Sequence, residues 1–466
     1  MRSSFGQRAY ELIICACIAV VLLIMPAGRY EVFADEKVYC DYLASDIDEM
    51  KVVIDPPVMN FSDVKVDAGE CIQLYLLNAE DGHVEWISKN EAVAEVDENG
   101  LVTAVGDGVT RIFAKYDGKR YKCVVRVSSE KVVKLAAVGD NLIHENILKS
   151  GIKSDGSYNY DRLFKNIKPY LKNFDVKIIN QETMFINDPK RYSGYPDFGT
   201  PTAMGKAMIK AGFNVVTLAT NHAYDKGQNG IKDTLNFWRQ YSDDVLTTGV
   251  YDNEDDYNTL TIREYNGIKI AFLNYTDVMN SGAKKESYNI RMLKEKQVLS
   301  EIKKAKKKAD FVIVLPHWGI EYEHEPSDKQ TELAVKMANA GADAIIGCHP
   351  HVVQPLKTIK TNDGREVPCF YSLGNFTSNM FWFKCQLQGM AELTIVKKKG
   401  VTSLSGYAFT PLVNHMNSND TKFTTYLLKD YTDELAKSHY MNYRTWNGIV
   451  SVKRLWNLWK SINSNE

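Results

Sequence analysis

From about residue 131 onward, continuous apolar runs alternate with amphipathic stretches, and this rhythm narrows the choice of fold most sharply. VVKLAAVG, VKIIN, VVTLAT, KIAFLNY, FVIVLP, AIIGC and CFYSLGN lack the polar–apolar alternation of a strand with one wet face. Between them lie helix-like segments such as DRLFKNIKPYLKN and TAMGKAMIKAG. Strands that are apolar on both faces need cover on both, so the pattern predicts an α/β domain, a buried sheet flanked by helices, over 131–415. With 44% hydrophobic residues the chain can fill such a core, and 29 Gly and 13 Pro among 466 residues exclude a collagen-like or low-complexity polymer. The 57 basic and 58 acidic residues nearly cancel, which gives no support to nucleic-acid binding.

The unusual polar residues come directly after those apolar runs. LAAVGDNLIH carries Asp140, Asn141 and His144, and VKIINQETMF carries Asn180 and Glu182. VVTLATNHAYDKG carries Asn221, His222 and Asp225, and FVIVLPHWGIEYEHE carries His317, Glu321 and His324. AIIGCHPHVVQ carries His349, His351 and Gln354, and CFYSLGNF ends at Gly374-Asn375. Open sheets collect ligands at the carboxyl ends of their strands, so these groups are expected to meet in one crevice. Carboxylate, amide and imidazole together suit Mn²⁺, Fe²⁺ or Zn²⁺. Two such ions can clamp the attacking and leaving oxygens of a phosphate ester. A single histidine in this setting is more often structural than a ligand; six strand ends in succession favour a shared site.

Residues 48–128 read differently, as short β-rich runs separated by Asp-Gly, Asn-Gly and Gly-Asp-Gly turn signals. Trp86-Ile87-Ser88, then Ala92 to Asp97 (AVAEVD), then Gly100 to Val105 (GLVTAV), then Gly108 resemble the bacterial Ig-like domain of group 2. That resemblance implies a small all-β sandwich with Trp86 in its core, used as a spacer or adhesive unit at a bacterial surface. Before it, Arg2 and Arg8 precede an uncharged apolar run from Leu12 to Gly28, and Val32-Phe33-Ala34 precedes Asp35. Two readings stand for 1–34: a secretory signal cleaved after Ala34, or an uncleaved membrane anchor. Both place the rest of the chain outside the cytoplasm, where Cys71 and Cys123 could pair. Cys40, Cys348, Cys369 and Cys385 show no CxxC spacing, so a zinc–thiolate site is not indicated.

The segments G-D-N, N-Q-E, T-N-H-A-Y-D-K-G, H-W-G-I-E-Y, G-C-H-P-H-V-V-Q and Y-S-L-G-N-F resemble, in order, those of the CapA family, the poly-γ-glutamate capsule biosynthesis proteins. The resemblance implies a metallophosphoesterase-like two-sheet sandwich flanked by helices, and a dinuclear metal centre of Mn, Fe or Zn. By that likeness the ligands are Asp140, Glu182, Asn221, His317, His349 and His351. His222 would protonate the departing oxygen, with Asp225 either holding its ring or serving a turn. Asn180, Glu321, Gln354 and Asn375 would support the ligands. The chain departs from the phosphoesterase pattern at Leu142, where a second ligand of the first motif would stand, and at Ala223, where an acid would follow Asn-His. One metal position is therefore short of a ligand. The substrate implied is a phosphoester or an anionic polymer, with other capsule-synthesis membrane proteins as partners. Two further readings remain open: a polymer-binding component without turnover, and an adhesion protein with a vestigial site. The C-terminal extension, 416–466, could dock on the domain, lie at a membrane or cap an interface.

Overall fold

The computed structural model describes residues 55–79, 82–280, 288–417, 419, 421–443 and 449–464. The apolar leader at 1–34 and Cys40 lie outside the described residues.

Two sheets face each other in the α/β domain. The first runs, edge to edge, Leu246–Thr248, Val215–Thr217, Val176–Gln181, Lys131–Asn141, Leu387–Lys398, Val401–Met416 and Phe423–Leu427, with Asn375–Thr377 paired beside the end of Lys131–Asn141. Its first four strands are parallel, and the last three join antiparallel. The second sheet runs Ile262–Tyr265, Ile268–Thr276, Phe311–His317, Ala344–Ile346, Glu366–Leu373 and Val353–Lys360, and its four central strands are parallel. The two-sheet sandwich flanked by helices is thus present.

Side chains alternate between two cores, which explains why the strands are apolar throughout. Val133, Leu135 and Ala137 pack between the sheets against Ile270, Phe272, Ile313 and Leu315. Their neighbours Ala136 and Val138 turn outward to the side covered by helices Ala203–Ala211 and Gly227–Arg239. On the far side, Ala271, Leu273, Val312 and Val314 meet helices Glu295–Lys306 and Asp328–Ala340. A strand buried on both faces gains no benefit from polar positions until it leaves the sheet, so the polar residues collect at the strand ends.

The residues after 416 complete this domain. Phe423, Leu427, Leu428, Met441, Leu455, Trp459 and Ile462 all join the outer core of the first sheet. Helix Val452–Asn463 presents Leu455, Trp459 and Ile462 from one face, spaced four and three residues apart as an apolar helical stripe requires. Trp456 packs against the same core. Docking on the domain is the arrangement observed.

In the Ig-like part, a sheet of Asp63–Asp67, Lys119–Ser128, Gly108–Tyr116 and Glu85–Ser88 faces one of Cys71–Gln73, Leu101–Ala104 and Ala94–Val96. Leu74, Ala94, Val102, Ile112, Ala114 and Val125 fill the space between them, with Trp86 packed at the margin. Cys71 and Cys123 are not bridged: Cys71 is exposed beside Thr103, Cys123 is buried in the opposite sheet, and both are free thiols. The passage to the next domain is short. Asp107 accepts from Ser129 N and from Ser129 Oγ (3.0 Å), and Asp67 pairs with Lys131.

Candidate metal centre

Because the parallel strands of both sheets run the same way, their carboxyl ends open on one edge of the sandwich. Asp140 arrives there through a bulge in the first strand, between Val138 and Asp140. Gly139 makes this possible: a Cβ on it would stand 1.8 Å from Gly374 O, and Asp140 N donates to that same carbonyl at 3.0 Å. Asp140 is fully buried and its oxygens are divided between elements. Oδ1 accepts from Asn180 Nδ2 (2.7 Å), Oδ2 accepts from His349 N (3.2 Å), and His351 Nδ1 lies 3.2 Å from Oδ2. Thr217 Oγ1 donates to Asn180 Oδ1 at 2.8 Å and so fixes that amide.

Glu182 follows the second strand and is also fully buried, yet neither carboxylate oxygen has a hydrogen-bond donor among the described residues. His351 Nε2 lies 3.8 Å and His317 Nε2 3.9 Å from its Oε1. Burial drives its carboxyl well above the usual range, partly offset by His351. A buried carboxylate without donors costs several kcal/mol unless a cation accompanies it.

The imidazoles close the cluster. His317 ends its strand with Nε2 2.8 Å from Asn221 Oδ1, and its ring centroid is 4.8 Å from that of His349. Burial and the neighbouring imidazoles hold His317 well below the ordinary histidine range. Burial likewise lowers His349 to about 4. For His351 burial acts in the same sense, but Glu182 and Asp140 outweigh it and push the ring up to about 9. His349 and His351 sit at φ of 103° and 58°, a backbone region rare for residues with a Cβ and found where surroundings impose it. Asn375 steadies His351 twice, with Oδ1 3.0 Å from its Nδ1 and Nδ2 donating to its carbonyl. Among the described residues, Asn221 Nδ2 and His349 Nδ1 are buried without hydrogen-bond partners.

Asp140, Glu182 and His351 bring ligand atoms within 4.8 Å of one another, and so do Glu321, His349 and His351. The orphaned oxygens of Glu182 and the neutral imidazoles of His317 and His349 belong to the donor set of a cation site, so the residues present fit divalent metal.

Beside the cluster opens a cleft of about 800 Å³, walled by Phe198, His222, Glu321, Tyr322 and His351. Asp225 accepts from His222 Nδ1 at 2.7 Å, and also from Phe198 N at 3.0 Å, so it serves ring and loop together. Asn280 Nδ2 is 3.2 Å from His222 Nε2, and Phe198 packs edge-on to the ring at 4.6 Å.

The family description "Bacterial capsule synthesis protein PGA_cap" matches residues 134–380. The chain belongs to this family. Residues 73–117 match the bacterial Ig-like domain, group 2. Capsule biosynthesis protein CapA of Bacillus anthracis is 37% identical over 245 residues, half of this chain and 58% of that protein. PGA biosynthesis protein CapA of Bacillus subtilis is 32% identical over 287 residues, 61% of this chain and 73% of that protein. The chain thus spans a little over half of the first relative's length. Among solved structures, calcineurin-like phosphoesterase YfkN from Bacillus subtilis has a TM-score of 0.38 at 17% identity, covering 60% of this chain and 90% of that one.

In this member of the family, Asp140, Asn180, Glu182, Asn221, His317, His349, His351 and Asn375 are brought together, and Glu321 borders them from the cleft. Gln354 is not. Its amide accepts from Gln330 (2.8 Å) and donates to Glu323 O (3.0 Å), away from the ligands. His324 likewise meets Val353 O at 2.8 Å. Asn280, Phe198, Tyr322 and Trp382 also stand at or beside this site without a sequence signal of their own. Each lies in irregular chain with no periodic pattern to mark it, and Tyr322 and Trp382 pair edge-on at 4.3 Å only across the cleft rim.

Proposed function

We propose that this chain is an extracytoplasmic capsule-synthesis protein that holds two divalent cations and hydrolyses a phosphoester. The observation that carries the reading is Glu182: a fully buried carboxylate with both oxygens unpartnered, ringed by Asp140, His317 and His351. Asp140, Glu182, Asn221, His317, His349 and His351 would hold the ions. Bound there, two cations supply an activated water and neutralise charge on the phosphoryl oxygens.

The chain's own residues account for the remaining steps. Asp225 fixes the His222 ring through Nδ1, so Nε2 is the nitrogen turned toward Asn280 and the cleft. A proton on that Nε2 is placed to reach a departing oxygen, the role of a general acid. Asn375 holds His351 from behind, and Asn180 holds Asp140, so two ligands are oriented before any ion arrives.

Elemental analysis of the purified chain, together with hydrolysis of a generic phosphodiester under added Mn²⁺, tests the reading. Metal with turnover is expected. Metal without turnover would favour a component that binds the carboxylates of an anionic polymer; absence of metal under every loading condition would sink the centre. An extracytoplasmic place rests on the leader and the Ig-like domain. Among the described residues no helix is long and apolar enough to cross a membrane. Mass spectrometry of the native protein should find either a start at Asp35 or the whole chain in a membrane fraction.

A further inference from the structure

Where the first motif lacks its second ligand, Leu142 is buried and apolar and donates nothing. Asp140, Glu182 and His351 already bring ligand atoms within 4.8 Å of one another as one cation position, so the missing ligand is felt at the second. We infer that Glu321, on the loop after the His317 strand, is a direct ligand of the second cation, reaching it from the cleft side. The inference rests on the metal reading above and adds to it a residue from outside the six ligands.

Glu321 offers a carboxylate oxygen to the same small volume as one nitrogen each of His349 and His351, all within 4.8 Å. His351 belongs to both trios, so a cation held by Glu321 and His349 shares a ligand with one held by Asp140 and Glu182. His349 is 4% exposed and its Nδ1 is unpartnered, a buried donor set that asks for an ion. Two imidazoles and one carboxylate make a cation position that keeps places open for water and substrate.

The loop is fastened as a ligand carrier would have to be. On one side of Glu321, Trp318 N donates to Cys348 O at 3.0 Å. On the other, Tyr322 N donates to Pro350 O at 2.7 Å, between the two histidines. Farther along, Gln354 Nε2 reaches Glu323 O and His324 Nδ1 lies against Val353 O. Tyr322 is held at φ 68°, unfavourable for tyrosine. A carboxylate meant only for solvent needs none of these ties. Gln354 and His324, which sit outside the cluster, gain a role here: they position the loop.

The test uses the full chain loaded with Mn²⁺, desalted and counted for metal, with the electron paramagnetic resonance of the bound Mn²⁺ as a second readout. Wild type is expected to hold two ions with an exchange-coupled signal. Glu321→Gln and Glu321→Ala should hold about one ion with an uncoupled signal. Their weaker site should lose at least the ~10–100-fold in affinity typical of groups that merely orient ligands. Glu321→Asp should recover part of it. Glu321 is exposed, so the metal-free variants should unfold at the wild-type midpoint. Variants that keep two coupled ions at wild-type affinity would overturn the role of Glu321 and leave the metal centre standing. A wild type that binds no Mn²⁺ overturns both.

Discussion

At His222 the two ring nitrogens have different tasks, one tied to Asp225 and one facing the cleft. His222→Ala is therefore expected to retain metal while phosphodiester hydrolysis falls by about 10²–10⁴-fold, which elemental analysis and rate measurement on one sample would show. His317→Ala and His349→Ala should act in the opposite way and lose metal, because a neutral imidazole is removed from a dry cluster that water fills poorly. Much at this scale was legible in the chain. Asp140, Glu182, Asn221, His317 and the two histidines of His-Pro-His each follow an apolar run at once, and a sheet buried on both faces can release polar groups only there. Gln354 shares that address but points its amide at a loop, since a residue inside a strand alternates faces and local position cannot tell which neighbour will claim it. Asn280 and Phe198 reach His222 from separate loops, by contacts across 58 and 24 positions of chain, and no local pattern encodes such meetings.

Among the elements, the Ig-like sandwich has a closed core of its own and joins the next domain by a short link. Expressed alone over 48–128, it should unfold in one cooperative β-sheet transition followed by circular dichroism. Its mass should not change on reduction, and Cys71 should react with a thiol reagent well before Cys123, which is buried. The contact between the strand Val401–Met416 and the C-terminal segment makes a pH-dependent contribution. His415 and His439 stack edge to face at 5.4 Å, with Tyr431 Oη 2.8 Å from His415 Nδ1 and Asn414 O 3.1 Å from His439 Nε2. Burial lowers His415 to about 4, and burial with His415 as neighbour lowers His439 to about 3. A depressed histidine means that the unfolded chain binds more protons than the folded one below pH ~6.5, so stability is full above that pH and declines as acid is added. Between pH 6.5 and 4, His415 alone should cost on the order of 2–3 kcal/mol. Denaturant midpoints of metal-free wild type and His415→Gln, compared at the two pH values, would check the sign; the variant should lose less.

Taken whole, the α/β domain does not end where its sequence motifs do. The chain after 416 adds an edge strand, and seven of its large apolar side chains enter the outer core. At ~1.5–3 kcal/mol for each, their burial matches the entire net stability of an ordinary domain. A chain cut after Met416 should therefore lose its cooperative thermal transition, which calorimetry would show directly. Composition offered three places for this segment because tryptophans and lysines suit a membrane surface as well as a core; only the partner face, folded from distant strands, decides. The same long-range construction gives the strand Lys131–Asn141 a mechanical character. It leaves the Ig-like domain at one end and carries Asp140 at the other, while ladders to Leu387–Lys398 and Val176–Gln181 grip it on both sides. A pull applied through the Ig-like domain would load those ladders lengthwise, in shear, where many hydrogen bonds must give way together. Tension on the chain would be spent along the strand before it displaced the carboxylate at its tip.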